Sequence, residues 1–112
     1  MSDQNCIFCK IINKQIPSNI VAENDELIVI KDIAPKAPVH LLIIPRIHIK
    51  DVASLDSSHI DLAGKMVLMA QGLSKQLSGS KAFRLMINNG ADAGQAVFHL
   101  HMHFLSGKRM LD

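Results

Sequence analysis

The stretch that decides the fold reads Asn88-Asn89-Gly90-Ala91-Asp92-Ala93-Gly94-Gln95-Ala96-Val97-Phe98-His99-Leu100-His101-Met102-His103-Phe104-Leu105. Its second half alternates between imidazoles and apolar side chains, and this period of two predicts a half-buried β-strand. Such a strand would place His99, His101 and His103 on one face and would turn its apolar residues, Phe98 included, toward the core. Three of the six histidines in the chain lie within five residues, a concentration that a purely structural role does not need.

Three interpretations of these histidines are open at this point. They could fill a solvent-facing sheet surface, they could bind a metal as His-x-His ligand pairs, or the middle one could be a nucleophile whose neighbours orient it. The residues before the strand favour the nucleophile. The run from Asn88 to Val97 is rich in turn residues that expose backbone N–H groups, and such a loop is suited to bind an anion such as a phosphate.

Length and composition predict a single domain over residues 1–112. Of the 112 residues, 48% are hydrophobic and 20% charged, which is typical of a globular chain that buries a core without disulfides. The net charge is +2 and the basic residues form no run, so we expect no long nucleic acid as a partner. No apolar run approaches the roughly 20 residues that span a bilayer, and the N-terminus has no secretory pattern, so we expect a cytoplasmic protein without a membrane partner.

The order of elements predicts an α+β fold. A short helix is expected from residue 7 to about residue 14, with Asn5 as its N-cap and Pro17 beyond its end. A long amphipathic helix is expected to follow the cap cluster 56–58 and to end before Gly79. Strands are expected at 19–22, 27–31, 39–44, 82–87 and along the histidines, which together predict a five-stranded antiparallel meander with helices packed on it. The apolar stripe of the long helix consists of Ile60, Ala63, Met66, Val67, Ala70, Leu73 and Leu77.

Cys6 and Cys9 are the only cysteines in the chain. A structural disulfide is not expected in a cytosolic protein, and a thioredoxin-like redox motif should follow a strand, which this pair does not. Half-buried inert thiols and half of a tetrahedral zinc site remain as alternatives. The zinc site would need two further ligands, usually histidines, and His48 and His99 are available.

The pattern Gly-Gln-x-Val-x-His-x-His-x-His-x-x, preceded by Asn and a Gly-containing turn, resembles the signature of the histidine triad (HIT) family. Further matches in the family's order and spacing are Phe8-Cys9-Lys10-Ile11-Ile12, Ile16-Pro17, Asp32-Ile33-Ala34-Pro35, Ala37-Pro38-Val39-His40 and Ile44-Pro45-Arg46-x-His48-Ile49. The resemblance covers nearly the whole chain. It implies a HIT-like fold that forms a homodimer, in which two sheets join into a continuous one across the long helix and the neighbouring strand.

The resemblance implies catalytic roles for His101, His103 and His40. His101 would attack the α-phosphorus of an AMP or GMP ester, amide or mixed anhydride, and water would hydrolyse the resulting nucleotidyl-histidine. His103 would donate to a non-bridging oxygen beside the backbone N–H groups of the turn from Gln95 to Val97. His40 would hold the nucleophilic imidazole in its required tautomer. The activity implied is that of a purine nucleoside phosphoramidase or related nucleotidyl hydrolase.

The resemblance also implies contacts to a purine nucleotide. Asp32 matches the ribose contact and Ile33 the base contact, although a turn-capping role for Asp32 is the alternative. The remaining positions, which match ribose or phosphate contacts or belong to the adjoining turn, are Asn88, Gly94, Gln95, Ala96 and Val97.

In zinc-containing HIT relatives, Cys-x-x-Cys pairs with two histidines. The resemblance therefore implies a Zn²⁺ site formed by Cys6, Cys9, His48 and His99. Because some relatives lack the cysteines and fold, zinc is expected to brace the fold rather than to catalyse.

Two departures from the family pattern bear on the substrate. Many phosphoramidase relatives have Ser or Thr where this chain has Ala96, and many have a longer tail than one that stops at Asp112. Two other functions remain as alternatives: a zinc-dependent hydrolase that uses the triad as metal ligands, and a non-catalytic nucleotide-binding regulator. The zinc hydrolase needs a carboxylate base near the triad, and only Asp92 is close in sequence.

Overall fold

A computed structural model describes residues 3–110 of the chain. The helices and strands within this range are α1 (Ile7–Ile12), β1 (Ile20–Glu23), β2 (Leu27–Lys31), β3 (Val39–Pro45), α2 (Ile60–Gln76), β4 (Phe83–Met86) and β5 (Met102–Ser106). None of the helices in residues 3–110 is long and apolar enough to cross a membrane. The first two and last two residues, on which the expectations about a signal and a tail partly rest, lie outside the described residues.

The strands form one antiparallel sheet in the order β1-β2-β3-β5-β4. The predicted α+β fold with five antiparallel strands is confirmed, but the order differs from that of a strict meander because β5 lies between β3 and β4. The burial of the two strands explains why β5, rather than β4, lies next to β3. Four of the five β5 residues are buried, whereas β4 is partly exposed along its whole length, so β5 takes the central position and β4 the edge.

Two apolar layers cover the sheet. On one face, α2 packs on a core that includes Val29, Ile43 and Phe104. On the other face, the short helix α1 packs on a second core that includes Ile28 and Ile44. Strand β3 is therefore buried on both sides, as its nearly continuous apolar sequence predicts.

The long helix α2 begins after the turn Ser57–His59, which the Asp56 side chain caps. Its buried residues are Leu62, Met66, Ala70 and Leu73. The predicted stripe is wrong for its first, second and fourth members, since Ile60 is 69% and Val67 49% exposed and Ala63 is exposed as well. The sheet covers a narrower arc of the helix than the apolar residues occupy, so an apolar strip of α2 stays on the surface.

The cap of α1 also differs from the prediction. The Sγ atom of Cys6, rather than Asn5, accepts the N–H of Cys9 at 3.4 Å. The helix ends at Ile12 because Asn13 caps it and Lys14 turns into the left-handed region at φ 61°, well before the Pro17 predicted to follow its end.

The last strand begins at Met102, later than the alternating pattern predicts. Pro45, at the end of β3, has no N–H to extend the ladder, and its carbonyl accepts from the His99 side chain instead. The alternating pattern nevertheless extends to the residues before the strand, since Leu100 is buried in the core on which α2 packs. Phe98 departs from the prediction: it is 44% exposed, with the Lys50 ammonium 5.9 Å from its ring centroid.

Candidate active site and metal centre

Two cysteines and two histidines that are distant in sequence meet at the start of α1. His99 Nδ1 lies 3.4 Å from Cys6 Sγ and 3.5 Å from Cys9 Sγ. His48 Nδ1 lies 3.3 Å from Cys9 Sγ and 3.1 Å from His99 Nδ1. The structure thus brings together the four residues that the sequence suggested as metal ligands.

The chemistry and spacing of these four atoms fit a tetrahedral Zn²⁺. Two sulfurs and two ring nitrogens around zinc would be about 3.3–3.8 Å apart, close to the separations observed. The His99 Nε2–H donates to the Pro45 carbonyl at 2.7 Å, so its Nδ1 lone pair faces the sulfurs. Burial lowers the pKa of His99 to about 4 and raises the pKa of the Cys6 thiol. The imidazole is therefore neutral, as a metal ligand requires, and a bound cation would be needed to hold the thiolates.

His101 is buried, and a backbone carbonyl fixes its tautomer. Its Nδ1 lies 2.7 Å from the carbonyl oxygen of His99. A carbonyl only accepts, so the neutral His101 carries its proton on Nδ1 and has the lone pair on Nε2. Burial lowers the pKa of His101, which keeps the imidazole neutral and its Nε2 unprotonated.

A second chain of hydrogen bonds fixes His103 in the opposite tautomer. The Lys36 N–H donates to His40 Nδ1 at 3.1 Å, so neutral His40 carries its proton on Nε2. That Nε2 lies 2.9 Å from His103 Nδ1, which must accept, and His103 then has its own proton on Nε2. His40 thus contacts His103. The prediction that His40 orients His101 is wrong, because His101 Nδ1 lies against the His99 carbonyl instead.

Asp32 lies beside this chain of imidazoles. One carboxylate oxygen accepts the Ala34 N–H at 2.8 Å, which is the turn-capping role considered from the sequence. The other lies 3.4 Å from His40 Nε2. The next side chain, Ile33, is 97% exposed and therefore free to contact a ligand.

The loop before the histidines is held by Gln95. Its side chain accepts the Gly90 N–H at 2.8 Å and donates to the carbonyls of Lys50 and Val97 at 2.9 and 3.1 Å. Its backbone N–H donates to the Gly90 carbonyl. All donors of Gln95 are engaged, so its place in the site is to shape the loop.

The backbone N–H groups of the next two residues are free to bind an anion. Among residues 3–110, no residue accepts a hydrogen bond from the backbone N–H of Ala96 or Val97. Gly94 supports this arrangement, since its backbone is left-handed at φ +97°, a conformation that glycine adopts without strain. The predicted nucleotide-binding segment therefore has two unused N–H groups close in sequence to the histidines.

The comparisons with known proteins agree with this geometry. The family model described as "Scavenger mRNA decapping enzyme C-term binding" matches residues 5–111. Protein HitA of Neisseria gonorrhoeae is 45% identical over 101 residues, which cover 90% of this chain and 94% of that protein. A HIT family hydrolase from Clostridium thermocellum superposes with a TM-score of 0.94 at 43% identity, covering 99% of this chain and 97% of that one.

The chain belongs to the histidine triad family.

Other HIT relatives bear names that refer to chemistry or to metal. The adenylylsulfatase HINT1 of Arabidopsis thaliana is 38% identical over 111 residues, 97% of this chain and 76% of that protein. The 14 kDa zinc-binding protein of Brassica juncea is 38% identical over 106 residues, 93% and 94% of the two chains. A histidine triad protein from Clostridium difficile has a TM-score of 0.95 at 34% identity, covering 100% and 98%.

The sequence suggested Asp32 as a ribose contact, but it did not predict that Asp32 lies beside His40. Asp32 is the carboxylate within reach of the imidazoles, whereas the Asp92 considered from the sequence lies exposed in the turn Ala91–Ala93. The sequence signal for this placement is that the predicted strands 27–31 and 39–44 are consecutive in an antiparallel sheet. Because β2 and β3 pair with Lys31 opposite Leu41, the next residue, Asp32, faces His40.

The buried histidines predict that the HIT chain loses stability in acid. The pKa of His103 is lowered to about 4 by burial and by the neighbouring His101 and His40. Since the unfolded chain protonates the same residue near its ordinary value of 6.5, the stabilising contribution is complete above about pH 6.5 and is lost between pH 6.5 and 4. A fully buried histidine contributes up to about 1.4 kcal/mol per pH unit, and half-buried His103 contributes less.

Urea unfolding at pH 7, 5.5 and 4.5 measures this effect. The free energy of unfolding should fall less steeply in His103→Gln, which removes one titrating group and leaves the Cys/His cluster unchanged. Equal slopes for the variant and the wild type would contradict the assignment of the acid sensitivity to His103.

Proposed function

We propose that this HIT chain, as one domain over residues 1–112, hydrolyses purine nucleoside 5′-monophosphate derivatives through a nucleotidyl-histidine at His101. The observation that carries the proposal is the tautomer of His101. With its Nδ1–H bound to the His99 carbonyl at 2.7 Å, the lone pair of Nε2 is available for attack on phosphorus.

In the first step His101 Nε2 forms a bond to the α-phosphorus, and the bond from phosphorus to the leaving group breaks with its electron pair. In the second step water attacks the same phosphorus, the P–N bond to His101 breaks, and the nucleoside monophosphate is released. His103, with its proton on Nε2, would donate to a non-bridging oxygen. The free N–H groups of Ala96 and Val97 would stabilise the charge that develops there.

The tautomer of His40 favours this mechanism over a metal hydroxide at the triad. Asp32, His40 and His103 form a cluster of the kind that can hold a metal. However, a neutral imidazole has one lone pair, and that of His40 accepts the Lys36 N–H at 3.1 Å. The Nε2 that faces Asp32 and His103 therefore carries a proton and is not available as a ligand.

The nucleotide is proposed to contact Asp32 through its ribose and Ile33 through its base. Within residues 3–110, Asp32 Oδ2 accepts from no backbone N–H, and a carboxylate can accept from ribose hydroxyls. The relative named adenylylsulfatase supports mixed anhydrides of AMP, besides phosphoramidates, as the substrate class. A regulator that only binds nucleotide would not need His101 and His103 in complementary tautomers.

We also propose that Zn²⁺ occupies the Cys/His cluster as a structural metal. Cys6, Cys9, His48 and His99 would hold it, and the likeness to a zinc-binding protein supports this choice of metal. When bound, zinc would join the start of α1 to the segment before β5.

The chain is further proposed to form a homodimer. Strand β4 lies at the sheet edge, and α2 leaves Ile60 and Val67 exposed, so edge and helix together offer an unpaired strand and an apolar strip. We expect Val67→Asp to shift the molecular mass measured by light scattering from that of a dimer to that of a monomer. Lys14→Asp, an exposed position outside both elements, is the control, and a dimeric Val67→Asp would contradict the proposed interface.

Intact-protein mass during turnover of an adenosine phosphoramidate tests the mechanism. Samples are quenched in alkali because phosphorus–histidine bonds are labile in acid. A transient adduct of one nucleoside monophosphate is expected. Turnover that a chelator abolishes and that never gives an adduct, even in single-turnover mixing, would overturn the nucleophilic mechanism in favour of metal-dependent hydrolysis.

A further inference from the structure

Phe8 connects the Cys/His cluster with the proposed nucleophile. It lies between Cys6 and Cys9 in α1 and is 6% exposed. Its ring meets His101 edge to face, with centroids 5.0 Å apart and planes at 80°. It meets His99 in the same manner at 5.8 Å and 78°. One buried ring thus contacts both a proposed metal ligand and the proposed nucleophile.

The contact between Phe8 and His101 matters because few other contacts define the plane of the His101 ring. Its hydrogen bond to the His99 carbonyl fixes the direction of one ring nitrogen, but a single bond leaves the ring free to tilt about it. The His103 ring stands at a similar distance of 5.1 Å, but its plane is tilted by 59°, so it is neither an edge-to-face nor a stacked partner of His101. An edge-to-face partner defines the plane of the His101 ring.

We propose that Phe8 is a positioning residue that sets the plane of the His101 imidazole, so that Nε2 points at the α-phosphorus. This inference rests on the proposed function. Phe8 can hold the ring because its own backbone is fixed on both sides: Cys6 and Cys9 lie 3.4 and 3.5 Å from His99 Nδ1. His99 completes the connection, since its side chain belongs to the cluster and its carbonyl accepts from His101.

The competing explanation is that Phe8 only fills the core beneath α1, where it packs with residues such as Ile28 and Ile44. A residue that only fills the core affects folding, but it does not change the rate of a bound complex. Positioning affects the chemical step, since a misplacement of about 1 Å can cost roughly 100-fold in rate.

The test compares Phe8→Leu, which keeps apolar volume and removes the ring, with Ile11→Val in the same helix and core. Both proteins are saturated with zinc and measured at equal folded fraction. For Phe8→Leu we expect kcat and the single-turnover rate of adduct formation to fall by about 10- to 100-fold, with KM changed less than about threefold. Ile11→Val should match the wild type.

A spectroscopic readout does not depend on turnover. In ¹H–¹⁵N spectra of the histidine rings, the Nδ1–H signal of His101 should be sharp in the wild type and in Ile11→Val. It should be broadened or lost in Phe8→Leu. Phe8→Met serves as a second variant if Phe8→Leu does not fold.

Equal rates and spectra for the Phe8 and Ile11 variants would overturn the proposal. A rise in KM at unchanged kcat would also overturn it, because Phe8 would then contact the substrate rather than orient the nucleophile. If the wild type forms no adduct, the proposed function fails, and the ring spectra still decide whether Phe8 orients His101.

Discussion

His101→Ala is expected to lower kcat/KM for an adenosine phosphoramidate by roughly 10⁴- to 10⁶-fold, the range seen when a covalent nucleophile is removed. Alanine leaves no lone pair where Nε2 stood, so the P–N bond of the intermediate cannot form. The transient adduct should vanish from intact-protein mass spectra, while AMP binding measured by calorimetry should change by less than about tenfold.

The matched control replaces a histidine outside the site. His59 belongs to the capped turn before α2, where its Nδ1 accepts the Asp56 N–H at 3.1 Å, and glutamine can retain an acceptor for that cap. His59→Gln should keep wild-type kcat/KM. An adduct that persists in His101→Ala would place the nucleophile on another residue and would refute the assignment.

The second large effect concerns the metal centre. Cys9→Ser replaces the more buried of the two cysteines, 1% exposed, by a side chain that zinc binds poorly. We expect bound zinc, measured by elemental mass spectrometry, to fall from one per chain to near zero. The stabilisation that zinc gives the wild type, about 2.7 kcal/mol when free zinc is 100 times the dissociation constant, should also disappear.

Chelator provides the internal control for this experiment. The wild type should lose stability to urea when the chelator is added, whereas Cys9→Ser should unfold alike with and without it. Ile11→Val, in the same helix but not a ligand, should retain the chelator effect. Zinc retained at one per chain in Cys9→Ser would exclude the Cys/His cluster as the metal site.

These two expectations rest on the same short segment of backbone. The His99 side chain faces the sulfurs of the cluster, and its carbonyl accepts the Nδ1–H of His101. Loss of the metal should therefore also lower kcat, although by less than loss of His101 itself. The proposed structural metal and the proposed nucleophile are thus adjacent parts of one arrangement.

Much of the fold could be predicted because the patterns were local. The apolar run of β3 indicated a strand covered on both faces, and the alternation after Val97 placed Leu100 and Phe104 in the core. The order of the last two strands could not be predicted in this way. It depends on which strand buries more apolar surface once α2 has crossed the sheet.

The candidate site likewise has one part that the sequence predicted and another part that only the structure showed. The resemblance to zinc-containing HIT relatives suggested Cys6, Cys9, His48 and His99 as one cluster, and the structure brings their ligand atoms together. Spacing could not assign the partner of His40, because β3 and β5 pair with Leu42 opposite His103 and so place His40 beside His103. The register of two distant strands decides that contact.

The sequence alone was enough to indicate the family, the α+β class and the residue types available for chemistry. Each of these follows from short-range periodicity and from the order of the motifs along the chain. The tertiary structure alone decided which proton each imidazole carries. Those protons are set by single acceptors and donors: the His99 carbonyl for His101, and the Lys36 N–H for His40. A backbone group can fix a tautomer only when folding brings it within about 3 Å of the ring, and no local pattern records that distance.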